Sequence, residues 1–316
     1  MILLLGASGY IGHAFKEALQ VRGEEFRTLS RSQLDYTRFE ALYPFLKDHR
    51  PSFIVNAAGY TGKPNVDACE TAKADTLLGN TLFPQALAHA CAMLDIPWGH
   101  VSSGCIFVGC QVATENGWVT EKDMTRPEVR ALAKTSPAKL RGFDETMTPN
   151  FSFRDPPCSF YSGTKALGEE VIRDVGNNYI WRLRIPFDEI DNQRNYLSKI
   201  LRYAKTYDNL NSLSHRGDFV TACLDMWLDR VPFGTYNVTN PGFVSTGEVL
   251  AMIKAILKPS RDFVFWKDDA EFYRQGAVAL RSNCIMDTTK LLAAGIRMRP
   301  VHAAIESALS NWQPGA

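Results

Sequence analysis

Short, unbroken apolar runs alternate along this chain with longer stretches of helical period. Ile2-Leu3-Leu4-Leu5 has no polar interruption, the pattern of a strand buried on both faces. Residues 14–21 carry apolar positions at helical spacing and predict an amphipathic helix. Further strands are predicted at about 25–29, at 53–55, and from 97 through a C-terminal end at 102–107. A helix closes at 45–48 before the breaker Pro51, and another spans 71–92. Later come a helix at 165–172, a strand at 178–184, helices at 195–207 and 219–228, and a short strand at 234–238. A helix at 246–257 and a closing helical region at 288–311 complete the series. Such an alternation predicts an α/β fold with a doubly wound parallel sheet.

One stretch breaks the rhythm. Residues 109–157 are punctuated by Gly, Pro, Asn and Thr, with a basic middle from Arg126 to Arg141, and only 127–134 reads as helix. An irregular insertion of this length inside a compact domain is usually functional or mobile.

Composition narrows the class. The chain has 316 residues, enough for one large or two intimate domains. Apolar residues make up 45% and charged residues 22%, as in a globular protein, and the net charge of +1 points to neither nucleic acid nor an anionic membrane. No apolar run approaches the length of a membrane span. A strand that starts at the second residue leaves no room for a leader peptide. Seven cysteines without a C-x-x-C pair fit reduced thiols in a cytoplasm, and no zinc-ligand spacing occurs, so no metal is expected.

The first strand runs straight into Gly6-Ala7-Ser8-Gly9-Tyr10-Ile11-Gly12 and then a helix. Glycines there allow a tight turn and close approach of a pyrophosphate, while the helix start offers free N–H groups. This is the dinucleotide cradle of a Rossmann fold, and Gly6, Ser8, Gly9, Tyr10, Ile11 and Gly12 are its candidate cofactor contacts. The end of the second strand selects the dinucleotide. An acidic residue there would accept the ribose 2′-hydroxyl, whereas Ser30-Arg31-Ser32 suits a 2′-phosphate, so NADPH is expected over NAD. Asn56, Ala57 and Ala58, with Gly59, end the third strand with small residues where a cofactor must lie against the strand tips.

Tyr161 and Lys165 stand four apart at the start of a helix, hence on one face. A phenol titrates near ~10, and a close ammonium favours the phenolate, which makes Tyr161 a candidate general acid or base. Alone, Tyr-x-x-x-Lys also occurs by chance on surface helices. Ser103 and Cys105 fall at the C-terminal end of a predicted strand, where ligands of open α/β sheets bind. Asn80, polar amid an apolar helical face, reads as a structural bridge. Cys91 reads as core, His13 and His100 have no evident partner, and His215-Arg216 reads as a loop pair. Arg281 carries a guanidinium fork suited to phosphate.

Together, Gly6-x-x-Gly9-x-x-Gly12, Asn56-Ala57-Ala58-Gly59, Ser103 and Tyr161-x-x-x-Lys165 resemble the extended short-chain dehydrogenase/reductases. The resemblance implies that Ser103 polarises a substrate carbonyl, Tyr161 protonates its oxygen and Lys165 holds the nicotinamide ribose. Within that group the chain is similar to the dTDP-4-dehydrorhamnose reductase branch. It looks most like bifunctional NDP-4-keto-6-deoxyglucose 3,5-epimerase/4-reductases, through the run Asn56 to Asp67, Gly104-Cys105-Ile106-Phe107, Ser159 to Ser162, Asn195 to Ile200, Thr239 to Gly242 and Arg281-Ser282-Asn283. By that resemblance Cys105 and Lys199 perform the epimerisation, and Thr61, Asn195 and Arg281 contact a nucleotide-sugar substrate. Each has a plain alternative: Cys105 as a small buried residue, Lys199 as a solvated helix lysine.

The implied division is a Rossmann part at 1–183 plus about 213–239, and a smaller, mostly helical substrate-binding part at 184–212 and 240–316. Tyr161 follows Ser103 by 58 positions, about twice the separation expected from the family, which sets the 109–157 insertion beside the active site. A homodimer is left open. Two other functions remain: a nucleotide-sugar epimerase or dehydratase with bound NAD(P), and a non-catalytic NADP-binding regulatory subunit. A 4,6-dehydratase generally carries an Asp-Glu pair where Gly104-Cys105 stand, and a regulatory subunit has no need of an intact Ser103, Tyr161 and Lys165.

Overall fold

The computed structural model describes residues 1–315. In chain order it begins β1 (Ile2–Leu5), α1 (Tyr10–Val21), β2 (Phe26–Leu29), α2 (Phe39–His49) and β3 (Phe53–Asn56). Then come α3 (Lys73–Leu77), α4 (Phe83–Leu94) and β4 (Trp98–Ser103). A hairpin of β5 (Cys110–Thr114) and β6 (Gly117–Glu121) follows, with α5 (Pro127–Thr135) and β7 (Leu140–Arg141). The chain continues through α6 (Phe160–Ile172), β8 (Asn178–Leu183), α7 (Tyr196–Arg202), α8 (Arg216–Leu228) and β9 (Gly234–Asn237). It ends with α9 (Thr246–Ile256), α10 (Asp269–Gln275), α11 (Thr289–Ala293) and α12 (Val301–Ser310). No helix among the described residues is long and apolar enough to cross a membrane.

These elements form two compact units. The first comprises residues 1–106, 149–182 and 220–236. Its six-stranded sheet has the order β9-β8-β4-β3-β1-β2. β1 pairs in parallel with both β2 and β3, and β3 with β4. The strand order reverses between β1 and β3, so the tips of these two strands form the switch point at which doubly wound sheets bind ligands.

Side chains alternate across the sheet. Leu3, Leu5 and Ile54 pack with Leu42, Leu46, Phe83 and Leu87 from α2 and α4. Elsewhere in the unit the Phe53 ring lies 4.3 Å from that of Trp227 and 6.2 Å from that of Trp181. Trp181 fills the space over Gly99 so closely that a Cβ there would come within 2.0 Å of its ring. Residues this large contribute roughly 1.5–3 kcal/mol each on burial, so the unbroken apolar strands are what hold the sheet.

The second unit comprises residues 107–148, 183–219 and 237–316. One core gathers Leu197, Ile200, Val249, Ile253, Ile305 and Leu309 from α7, α9 and α12. Another gathers Cys110, Met124, Val129 and Leu140 around Leu210 and Ile285.

The first part of the 109–157 stretch is more regular than the sequence suggested, with the helix expected at 127–134 present as α5, while 142–157 holds no helix or strand. β5 and β6 pair as an antiparallel hairpin with Thr114 opposite Gly117, and β5 pairs with β7 on its other edge. Asn116-Gly117 is the hairpin turn signal that would have revealed it, with Gly117 at φ 109°. Backbone bonds then join this segment to 283–287. Gly109 donates to the Asn283 carbonyl at 2.7 Å, and Phe143 donates to the Ile285 carbonyl at 2.9 Å.

Two helices also differ from expectation. The helix predicted at 71–92 is interrupted by a π-helical turn at Leu78–Leu82 between α3 and α4. The helix predicted at 195–207 stops at Arg202, after which the backbone turns extended.

Candidate active site

In the first unit the turn after β1 sets the cradle. Gly6 has φ 78°, and a Cβ on it would lie 2.5 Å from the Ala58 nitrogen, so the turn touches the backbone that ends β3. A Cβ on Gly12 would lie 2.0 Å from the Gly6 carbonyl oxygen, which holds α1 tight against the turn. Gly9 caps α1 and, as a glycine, offers the first N–H groups no side-chain acceptor of its own. That leaves the positive helix end available to an anionic group.

At the tip of β3, buried Asn56 accepts a hydrogen bond from the Ala58 N–H at 3.0 Å and donates to His100 Nδ1 at 3.1 Å. Burial, aided by the Lys165 charge, pushes the His100 pKa well below its ordinary value, so the ring is neutral and Nδ1 accepts. The pair fixes Asn56 to Gly59 at the switch point. His100, without evident partner in the sequence, finds it only across β3 and β4.

At the end of β2, Ser30 Oγ lies 2.8 Å from Ser32 Oγ, and exposed Arg31 stands between them. The first acid beyond, Asp35, accepts the Thr37 hydroxyl at 2.6 Å, and this bond holds its pKa below the usual carboxylate value. A hydroxyl pair with an arginine, and an acid engaged elsewhere, fits a 2′-phosphate.

Ser103 ends β4 and its Oγ accepts the Cys105 N–H at 3.2 Å. Cys105 lies buried in the short 3₁₀ turn Gly104–Ile106, and α6 packs against that turn. Ser159 caps α6, accepting the Ser162 N–H at 3.1 Å. This sets Tyr161 in the first turn and Lys165 one turn on. Lys165 is 5% exposed and donates to the Val101 carbonyl at 3.2 Å. Burial lowers its pKa, while Cys105 and Glu169 oppose the shift. Val101 belongs to the same strand as Ser103, so this bond brings the lysine end of α6 to the serine strand.

Behind the helix lies a buried ion pair that sequence reasoning missed. Glu169 and Arg182 are 1% and 0% exposed. Arg182 Nη2 donates to Glu169 Oε2 at 2.7 Å, and Ser102 Oγ donates to Oε1 at 2.6 Å. Burying two charges is costly unless bonds like these satisfy them. Here they join α6, β8 and the residue next to Ser103. The i+4 step from Lys165 to Glu169 was the available signal.

Asn80 sits in the π turn and is fully buried. Its Oδ1 accepts the Tyr60 N–H and its Nδ2 donates to the Tyr60 carbonyl, both at 2.9 Å. Nδ2 also reaches Thr164 Oγ1 at 3.3 Å. A Cβ on Gly168 would come within 2.1 Å of the Asn80 carbonyl oxygen, so α6 presses directly on the π turn. Thr61 follows on the exposed loop.

In the second unit, Asn195 caps α7. Its side chain accepts the Leu197 N–H at 2.9 Å and donates at 2.8 Å to Asp188 and to the Ile190 carbonyl. The chain itself thus engages the amide that was expected to bind substrate. Lys199 lies on α7, half-buried, and burial followed by Arg194 and Arg281 lowers its pKa. Arg281 Nη1 donates to the Ala279 carbonyl at 2.9 Å. The charges of Arg194 and Arg281 thus act on Lys199 from nearby. His215 is no isolated loop residue. It lies 3.2 Å from Glu189 and 3.3 Å from Asp218, and Arg299 pairs with Asp218 at 2.7 Å.

The switch-point sheet, the glycine turn and the Tyr161/Lys165 helix define a nicotinamide-dependent oxidoreductase of the short-chain dehydrogenase/reductase class. Comparison with known proteins narrows this. Residues 1–137 match the RmlD substrate binding domain family. An Arabidopsis thaliana bifunctional dTDP-4-dehydrorhamnose 3,5-epimerase/dTDP-4-dehydrorhamnose reductase is 32% identical over 291 residues, which is 92% of this chain and 85% of that protein. The chain belongs to the dTDP-4-dehydrorhamnose reductase family. It also matches a trifunctional UDP-glucose 4,6-dehydratase/UDP-4-keto-6-deoxy-D-glucose 3,5-epimerase/UDP-4-keto-L-rhamnose-reductase of the same plant, with 32% identity over 92% of this chain, but spans only 39% of that protein's length. Among solved structures, the fold is shared with the L780 UDP-rhamnose synthase of Acanthamoeba polyphaga mimivirus, at TM-score 0.82 and 24% identity over 98% of both chains. A Bacillus anthracis dTDP-4-dehydrorhamnose reductase in complex with NADP follows at TM-score 0.74 and 20% identity, over 98% of this chain and 97% of that one.

Proposed function

We propose that this protein reduces the C4 ketone of a nucleotide-linked 4-keto-6-deoxyhexose with NADPH, after epimerising the carbons that flank it. The carrying observation is the Lys165–Val101 bond, which unites the Tyr161 helix with the Ser103 strand in one buried arrangement. The names of the plant relatives agree with it.

Bound NADPH supplies the hydride for C4. The turn from Gly6 to Gly12 and the open start of α1 would hold its pyrophosphate, and Ser30, Arg31 and Ser32 its 2′-phosphate. Lys165 keeps one donor on Val101 and has others for the ribose hydroxyls. Ser103 donates to the ketone oxygen, and Tyr161 passes it a proton as the alkoxide forms. For epimerisation, protons flanking a ketone are acidic. Cys105 as thiolate removes one, and Lys199 acts as the acid that returns one. The lowered pKa of Lys199 makes its ammonium a readier proton donor than an ordinary lysine.

The test is incubation with NADPH and a panel of dTDP-, UDP-, GDP- and CDP-linked 4-keto-6-deoxy sugars, with products read by NMR. NADPH oxidation with a 6-deoxyhexose product supports the reading. Inertness toward every member sinks it.

A further inference from the structure

We infer that Glu70 is a positioning residue for Tyr161. It ends the 3₁₀ helix Val66–Glu70, which closes the loop after β3. Its Oε1 accepts the Phe160 N–H at 2.8 Å. Phe160 is the first residue of α6 and the immediate neighbour of Tyr161. Ser159 caps the Ser162 N–H, so the Phe160 N–H needs another acceptor, and the carboxylate provides one. A negative charge there is also favoured by the dipole of α6.

The grip on Phe160 is two-sided. Lys73 Nζ stands over its ring at 5.4 Å from the centroid, three residues beyond Glu70. On the far side of Tyr161, the Thr164 hydroxyl donates to the Tyr161 carbonyl at 2.9 Å. Thr81 Oγ1 in turn donates to the Thr164 carbonyl at 2.8 Å. The backbone of the tyrosine is thus held before and after, and the hold before it comes from Glu70. The loop that Glu70 closes begins at Tyr60, clamped by Asn80, and carries Thr61.

This inference rests on the reductase reading, and two variants test it without removing the side chain. Glu70→Gln keeps an acceptor at the same reach, whereas Glu70→Asp withdraws it by one methylene. A displacement of this size at a reacting group costs about 10- to 100-fold in rate. Glu70→Asp is expected to lower kcat by that amount with KM for NADPH and for the keto sugar within about twofold. Glu70→Gln is expected to hold kcat within about threefold of the parent. A second readout needs no turnover. The ring signals of ¹³C-labelled Tyr161, assigned with Tyr161→Phe, should shift in Glu70→Asp and stay in place in Glu70→Gln. Equal kcat and unmoved ring signals in Glu70→Asp would overturn the inference. If no keto sugar is turned over by the parent protein, the reductase reading fails and the ring signals alone decide the role of Glu70.

Discussion

Asn80 and Tyr60 form a reciprocal pair: the Asn80 amide both accepts from and donates to the Tyr60 backbone, at 2.9 Å each way. A buried side chain thereby stands in for a strand partner at the start of the loop that carries Thr61. Asn80→Ala leaves both Tyr60 groups without that partner. At about 1–3 kcal/mol for each buried group left unsatisfied, and with partial access of water to this loop, the expected loss is about 2–4 kcal/mol. The midpoint of chemical denaturation checks it. An unchanged midpoint would show that the pair does not stabilise the loop.

Tyr161→Phe removes only the hydroxyl. Turnover is expected to fall by roughly 10²- to 10⁴-fold, the range for a lost general acid. Stopped-flow measurement of NADPH oxidation separates the chemical step from cofactor binding. A full rate in the variant removes Tyr161 from proton transfer.

Arg31→Ala should raise KM for NADPH and leave KM for NADH unchanged. A hydrogen bond to a charged group contributes about 1.5–3 kcal/mol, which is roughly 10- to 100-fold in affinity. Equal effects on the two cofactors would place Arg31 outside the 2′-phosphate contact.

Cys105→Ala should spare reduction of an already epimerised keto sugar. In deuterated solvent it should block label entry at the carbons flanking the ketone. Normal label entry takes the thiol out of the epimerisation.

The His215 cluster predicts a pH window for the second unit. Burial lowers the His215 pKa, but the bonds to Asp218 and Glu189 outweigh it, and the net shift is upward. A raised folded value stabilises fully below the unfolded value near ~6.5 and is lost as pH rises through the folded one. The bond from His215 takes Glu189 down to about 2, so its contribution is present above the unfolded carboxylate value and lost as pH falls. Burial opposes the shift of Asp218, yet the bonds from His215 and Arg299 bring it down as well. The cluster therefore stabilises most between about pH 4.5 and 6.5. Urea unfolding across pH should show a decline above that range in the parent protein and none in His215→Gln.

Much of the cradle was legible in the sequence because it is local. β1, its turn and α1 are contiguous, and a glycine that must admit a neighbouring backbone declares itself by type. Tyr161 and Lys165 were legible because one helical turn brings them together. Ser30-Arg31-Ser32 followed from the end of a strand. The hairpin within 109–157 left a trace in Asn116-Gly117, but its strands are short, and the segment at 283–287 that bonds the flanking Gly109 and Phe143 lies far along the chain.

The alternation of apolar runs and helical periods determined the doubly wound sheet and the dinucleotide turn, since burial on both faces and a fixed turn geometry leave few other outcomes. Tertiary structure alone decided what Glu70, Glu169 and Asn80 bond to. Hydrogen bonds and buried ion pairs act over about 3 Å, the sequence separates the partners of these residues by up to 90 positions, and only the folded topology sets which of them meet.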